Sequence, residues 1–458
     1  MSAFTLAFRN VRKSFRDYSI YFLTIMIGVA LFYIFNSLES QSVMMELTQD
    51  SRLTLLGISE EMDMLSGFVA GILGFLIVYA NAFLVRRRKK ELGIYMILGM
   101  KKGKISAVLL VETFLVGLNS LTVGILLGVF LSQGMALVTA RLLGVSVSRF
   151  AFVFSADAVR ECIQNFGIAF IIVVLFNVLN INRQKLLNLI YAEKKTLQFH
   201  KIPMPISVTL FAISVVMLAV AYRLMLTTGF IGFFDATKRI AQLIAVILGV
   251  AGTLLFFFSL SGFLLRLISE LKGVYFSGLN MFTLKQLSSK MHTAFVSQTF
   301  VCLMLFLAIS AISVGYSMSS ALRDHPKETT ASVAIAYMSF YIGLVFLITC
   351  ASVLAITQLS ESSDNQERYR LLEKLGASAK MLSQSLFTQI LTYFLLPLAL
   401  AIAHSFIAIK VMGKLVELLG NIDIFATSLA AGGLLVLIYG GYFIVTYLNA
   451  RKMIRLRQ

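Results

Sequence analysis

Stretches of about 20 apolar residues recur from one end of this 458-residue chain to the other. Each is long enough to cross a hydrocarbon core of about 30 Å. They fall at about 18–37, 63–84, 106–131, 163–181, 206–224, 240–263, 293–318, 335–357, 383–408 and 427–448. Lipid offers the backbone no hydrogen-bond partners, so a segment that spans it must be a helix or part of a closed barrel. The runs lack the apolar–polar alternation of barrel strands. The expected fold class is therefore an all-α polytopic membrane protein with ten transmembrane helices. Composition agrees: 58% of residues are hydrophobic, 14% are charged and the mean hydropathy is +0.86, whereas a soluble chain carries roughly 25% charge.

Charge sets the orientation. With the N-terminus inside, the cytoplasmic segments carry 29 of the 40 Lys and Arg but only 8 of the 22 acids. That asymmetry places both termini in the cytoplasm. The net charge of +18 thus reports orientation and contact with anionic lipid rather than nucleic acid. The opening MSAFTLAFRNVRKSFRDYSIYF has no small-residue cleavage site after its apolar run, so no cleavable signal is expected. Cys162, Cys302 and Cys350 show no pairing or metal-ligand spacing and read as small apolar residues, and no metal site is expected.

The chain repeats itself. FTLAFRNVRK at 4–13 aligns with FTLKQLSSKM at 282–291, and ELGIYMILGMKKGKI aligns through Leu98-Gly99 with RYRLLEKLGASAKML through Leu375-Gly376. The offsets are 278 and 277, a near-constancy that chance similarity between apolar helices does not explain. VLNINRQKLLN at 178–188 matches YLNARKMIRLR at 447–457. Two parallel four-helix repeats, 1–195 and 273–458, are expected to flank a two-helix linker at 196–272, a 4+2+4 order.

Between the second and third runs lies VRRRKKELGIYMILGMKKGKI. Its short helix should end at Gly99, and Leu92, Tyr95 and Gly99 share one face. Tyr369, Leu372 and Gly376 do the same in the second copy. A helix this short is unstable alone in water and needs something to pack on. An interfacial helix on anionic lipid is one reading of the basic flanks. The second copy keeps the apolar face but adds Asp364, Glu367 and Glu373, which favours a protein partner.

These residues resemble the segment between the second and third spans of FtsX-like permeases, the MacB or type VII group of ABC transporters. The similarity to Bce-type bacterial permeases is closer. ERYRLLEKLGAS, LNMFTLKQLSSKMHT, NINRQKLLNLIYAEKK and the N-terminal stretch extend the resemblance over essentially the whole chain. It implies a multi-pass subunit of a bacterial plasma membrane. It also implies a coupling role for Glu91, Leu92, Tyr95, Leu98, Gly99, Met100 and Lys101, and for Glu367, Arg370, Leu372, Leu375 and Gly376, docked on a separate cytoplasmic ABC ATPase homodimer. No cofactor is expected in this chain; ATP and Mg would sit on the partner. The chain departs from the family in two places. The link at 319–333 is about 15 residues where Bce-type permeases resemble one another in a large external domain. Residues 38–62 form only a short acidic loop where MacB-like members carry a periplasmic domain.

The chain offers no energy source of its own. GMKKGKIS at 99–106 has three residues between Gly99 and Gly103-Lys104 where a Walker A loop has four, and it follows no strand. Nothing forms a catalytic constellation, so the chain is not expected to be an enzyme. Glu112 is the one acid placed inside a run, with Gln389 at its repeat position; an ionisable group there is costly and a candidate for function. Two readings stand: hydrogen bonding to the coupling segment or a neighbouring span, or proton or substrate handling. His404 reads as a satisfied core histidine rather than a ligand. Gly67/Gly71 and Gly124/Gly128 have the spacing that lets helices approach closely.

The leading expectation is an ABC permease acting on a lipid-linked or peptide amphiphile at the outer face, in peptide-antibiotic or bacteriocin resistance or export. The alternatives are a scaffold for a membrane sensor histidine kinase, and an ion-coupled secondary transporter.

Overall fold

Apolar, long-chain and Ala-rich segments give helices over most of the described residues of the computed structural model, and no strand occurs among them. These are residues 3–13, 15–37, 66–82, 84–85, 88–143, 152–183, 204–229, 236–270, 272–324, 330–416 and 424–455. The acidic segment expected at 38–62 and most of NINRQKLLNLIYAEKK lie outside them.

In chain order the helices are α1 (Ala3–Lys13), α2 (Phe15–Asn36), α3 (Ser66–Ala82), α4 (Lys89–Ile97), α5 (Lys102–Leu143), α6 (Ala156–Arg183), α7 (Met204–Thr228), α8 (Ala236–Glu270), α9 (Lys272–Tyr275), α10 (Asn280–Asp324), α11 (Thr330–Asp364), α12 (Gln366–Lys374), α13 (Ala379–Val416) and α14 (Ile424–Arg455). Seven helices are long and apolar enough to cross a membrane among the described residues, one each within α5, α6, α7, α8, α10, α11 and α13. Tyr21–Asn36 and Ser66–Ala82 are shorter apolar helices at the first two expected runs, and the tenth expected run falls within α14. At the link expected at 319–333, α10 continues to Asp324 and α11 begins at Thr330, and residues 325–329 lie outside the described residues.

The helices sort into two bodies, one of residues 1–198 with 322–337, the other of residues 199–321 with 338–458. In the first, α2 packs along α5, with α1 and α6 against the same helix. Gly124 and Gly128 make that approach possible, since a Cβ on either would stand 2.7–2.8 Å from Val29 or Tyr33. Gly67 and Gly71, with the same spacing, are exposed and have no heavy atom of the described residues within 4 Å of a Cβ. The expectation of close packing thus holds for one pair and not the other, because spacing places small residues on a face without deciding what that face meets. Buried amides tie α3 to α6, with Asn81 and Asn177 donating to each other at 2.7 and 3.3 Å.

In the second body α7 and α8 form a tight pair, α7 also touches α13, and α13 packs on α14. Leu260, Leu287, Met291 and Tyr393 form a buried cluster there with Phe211, Phe256 and Leu396. The Tyr439 hydroxyl donates to the Phe394 carbonyl at 2.9 Å, fixing α14 on α13.

Candidate functional site

α4 and α12 are the same object made twice. Each has nine residues, and both their starts and their ends are 277 positions apart. Each is stopped by a glycine in the left-handed region, Gly99 at φ 85° and Gly376 at φ 93°. The closing hydrogen bonds are also equivalent. Gly99 N–H donates to Met96 O and Met100 N–H to Tyr95 O; Gly376 N–H donates to Glu373 O and Ala377 N–H to Leu372 O, all at 2.9–3.1 Å. This paired arrangement satisfies the last carbonyls and turns the chain sharply into α5 and α13. Alanine at Gly99 or Gly376 would hold a Cβ in the left-handed region at a cost of about 1 kcal/mol. The expected result is about fivefold faster hydrogen exchange at the Met100 or Ala377 amide.

The two helices present one face inward and another outward. Leu92 is buried on Ile105 and Leu109 of α5, and Tyr95, Met96 and Met100 pack around it. Tyr369, at the position equivalent to Leu92, is also buried. The outward face carries Ile94, Ile97 and Leu98 in α4, with Leu98 76% exposed. Leu371 and Leu375 stand at the equivalent positions of Ile94 and Leu98, with Leu375 83% exposed. Of the face drawn from the sequence, Leu92 is buried against its own chain and Tyr95 is half-buried. Periodicity marks both residues as one stripe, but the turn at Gly99 folds that stripe onto α5. Glu91, Lys101, Glu367, Gly99 and Gly376 are exposed, and Arg370 and Leu372 are half-buried.

A polar anchor lies beneath each helix. Arg88, the residue preceding α4, pairs with Glu112 of α5, and both are buried. Arg88 Nε also donates to Glu91 at 3.0 Å. Asn10 of α1 donates its amide to Glu112 at 2.8 Å and to the Tyr95 hydroxyl at 3.3 Å. One carboxylate thereby ties the start of α4, the body of α5 and the amphipathic α1. Glu112 is ten residues beyond the start of α5, about 15 Å along its axis.

The second copy builds the same anchor without charge. Gln389 of α13 donates to the Tyr369 hydroxyl at 3.0 Å and to Gln286 of α10 at 3.1 Å, with Ser385 at 3.3 Å. Ser385 in turn meets Thr283 of α10 at 2.7 Å. Burial pushes the Tyr369 hydroxyl up from the ordinary phenol value, opposed by its hydrogen bonds to Ser385 and Gln389. Arg88 and Glu112 correspond at the same offset to Asn365 and Gln389, so the two charges are replaced together by two neutral amides.

Against known proteins, residues 64–189 match the FtsX-like permease C-terminal family. The chain carries an FtsX-like permease domain. That domain holds α3 to α6, and with them Arg88, Glu112 and the first glycine-stopped helix. The chain is homologous to the bacitracin export permease protein BceB of Bacillus subtilis (strain 168), 24% identical over 333 residues, which are 72% of this chain and 50% of that protein. It is also 24% identical over 314 residues to the bacitracin export permease protein BceB of Halalkalibacterium halodurans, 68% of this chain and 47% of that one. Over 108 residues, 24% of this chain and 16% of the relative, it is 31% identical to the ABC transporter permease protein YxdM of Bacillus subtilis. The chain spans about half the length of the BceB relatives it matches.

Outside the FtsX-like domain, His404 of α13 is fully engaged. Thr253 donates its hydroxyl to the Gly249 carbonyl at 2.6 Å, leaving its oxygen to accept from His404 Nε2 at 3.0 Å. The Tyr222 hydroxyl then donates to Nδ1 at 2.5 Å. Tyr222 and Phe306 close the ring in with edge-on contacts. The three cysteines are buried and free. Sequence reasoning did not find Asn10, Arg88, Gln286, Tyr222 or Thr253. A signal existed for Arg88, since Arg/Glu in one repeat stands against Asn/Gln in the other at the same offset as the glycine stops.

Proposed function

We propose that the chain is the membrane-spanning permease subunit of an ABC transporter and that α4 and α12 are its coupling helices, one for each copy of a separate ATPase dimer. The observation that carries this reading is the duplicated outward apolar face: Ile94, Ile97 and Leu98 in one helix, Leu371 and Leu375 in the other, each on a helix stopped by glycine and anchored from below. A helix built only to lie on anionic lipid has no reason to be fastened so firmly to the next span. Force on α4 would pass through Leu92 to Ile105 and Leu109, and through Arg88 to Glu112, so that α5 and α1 move with it. α12 would act on α13 and α10 through Tyr369, Gln389 and Gln286. The names of the BceB relatives favour a peptide or lipid-linked amphiphile at the outer face as client, with protection from a peptide antibiotic as the result.

The test is co-purification with a candidate ABC ATPase, followed by the ATPase rate of the complex. Leu98→Asp with Leu375→Asp should weaken ATPase binding at least tenfold, as loss of a buried apolar anchor does at a protein interface, and abolish antibiotic protection. Leu98 and Leu375 are exposed, so the variant should remain folded. Retention of ATPase binding and protection in that variant would sink the assignment.

A further inference from the structure

The first turns of α13 and the last turns of α14 flank an open groove of about 510 Å³ lined by Ala379, Lys380, Ser383, Gln384, Phe387, Tyr447 and Arg451. Two cations stand in it, and no acid is among the described residues that line it. Arg451 lines the groove, and an anionic oxygen there would offset the charge of its guanidinium. Ser383 and Tyr447 share a hydrogen bond at 2.8 Å across the groove and add two hydroxyls to its wall.

The groove opens onto an apolar track. Lys380, Gln384, Phe387, Leu391 and Leu395 follow one another at three- and four-residue spacing on α13, all exposed, running from cation through amide to aromatic and aliphatic. Leu448 and Ile444 of α14, both exposed, continue from Arg451 at the same spacing. Phe387 stands edge-on to Tyr447 with ring centroids 5.4 Å apart, joining the two tracks. A small anion would use the cations and ignore the tracks; a phospholipid would use both.

The repeat supplies an internal control. The positions equivalent to Lys380, Gln384 and Phe387 are Gly103, Ala107 and Leu110, and those equivalent to Tyr447 and Arg451 are Val178 and Asn182. The shared architecture of the two halves therefore does not require these residues.

We propose that this groove binds the phosphate of an anionic phospholipid of the cytoplasmic leaflet, with Arg451 and Lys380 on the phosphate and the acyl chains along Phe387, Leu391 and Ile444. Lipid charge at this point would bear on α13 three residues beyond the Gly376 stop of α12.

The chain contains no tryptophan, so a single Leu391→Trp reporter on the lipid-exposed track reads local lipid directly. In vesicles of brominated phosphatidylglycerol mixed with unlabelled phosphatidylcholine, and in the reverse mixture, quenching should show roughly tenfold preference for the anionic lipid, as two nearby cations provide. Lys380→Gln with Arg451→Gln should erase that preference. A Phe114→Trp reporter at the equivalent position of the first repeat should show none. Equal quenching by both lipids at Leu391→Trp, or a preference that survives the double substitution, overturns the proposal. Relief of quenching by millimolar inorganic phosphate overturns the lipid assignment in favour of a soluble phosphate ligand.

Discussion

Removing Arg88 from the Arg88–Glu112 pair should destabilise the first body by about 3–5 kcal/mol, because Glu112 is left buried without that counter-ion, whereas removing Glu112 should cost less, because Arg88 keeps its 3.0 Å ion pair with Glu91. Both side chains are almost wholly inaccessible, Arg88 at 3% and Glu112 at 1%. Glu112→Ala also removes the 2.8 Å bond of the Asn10 amide and leaves it the longer one, at 3.3 Å, to the Tyr95 hydroxyl. Replacing both together, Arg88→Asn with Glu112→Gln, should cost far less. It installs the pair of residue types that the second repeat uses at Asn365 and Gln389. The measurement is a double-mutant cycle on the denaturation midpoint of the purified chain in detergent. The expected coupling energy is about 2 kcal/mol or more, well above the additivity error of independent sites. The same four proteins discriminate structure from proton handling. If Glu112 only positions α4, the neutral double variant keeps the antibiotic protection and ATPase coupling proposed above. If Glu112 carries protons, that proposed protection disappears while stability is restored. Costs of the two single changes that simply add in the double would refute the paired-anchor reading.

The parts of this arrangement differed in how readable they were. Apolar runs and a constant repeat offset announce helices and their equivalence, because length and period are local properties. The glycine stops were readable for the same reason: Gly99 and Gly376 follow short helical segments and adopt the left-handed backbone that only glycine takes cheaply. What a helix face touches is a tertiary property. Leu92 and Tyr95 lie on one stripe, yet that stripe turns onto α5 and leaves Ile97 and Leu98 outward. The partner of Glu112 was harder still, since Asn10 lies 102 residues away with no local pattern linking them. His404 is the opposite case. A lone histidine in an apolar run has few low-cost solutions, and two hydroxyls, one on each ring nitrogen, are among the commonest ways to satisfy it.

The difference between the two anchors bears on how a permease of this kind could move. An ion pair in a low-dielectric site is stiff and costly to separate, whereas a network of amides and hydroxyls can exchange partners. α4 is held to α5 by the first kind and α12 to α13 by the second. Under the proposed function, equal pushes on α4 and α12 would then yield unequal responses. The charged side would transmit as a rigid lever, and the neutral side has room to re-pair Gln389 among Gln286, Tyr369 and Ser385.

That lever works only if α5 and α2 move as one, which depends on two glycines. Leucine at Gly124 or Gly128 should disrupt the first body more than any surface change. At Gly124 a Cβ would meet Val29 Cβ at 2.7 Å and the Met26 carbonyl oxygen at 2.8 Å, and backbone cannot rotate aside. At Gly128 it would meet Tyr33 Cβ at 2.8 Å, and Tyr33 is fixed in turn because its hydroxyl accepts from the Ser155 N–H at 3.1 Å. Even alanine should cost about 1–3 kcal/mol at either site, and leucine should leave little folded protein on size exclusion. Gly67→Leu and Gly71→Leu are the matched controls, with the same spacing and the same substitution but open space around the Cβ. There the gain in helix propensity of up to about 1 kcal/mol has nothing to oppose it, so these variants should be as stable as the parent or slightly more so. Equal damage at all four glycines would mean that the α2–α5 contact is not the one that holds the first body together.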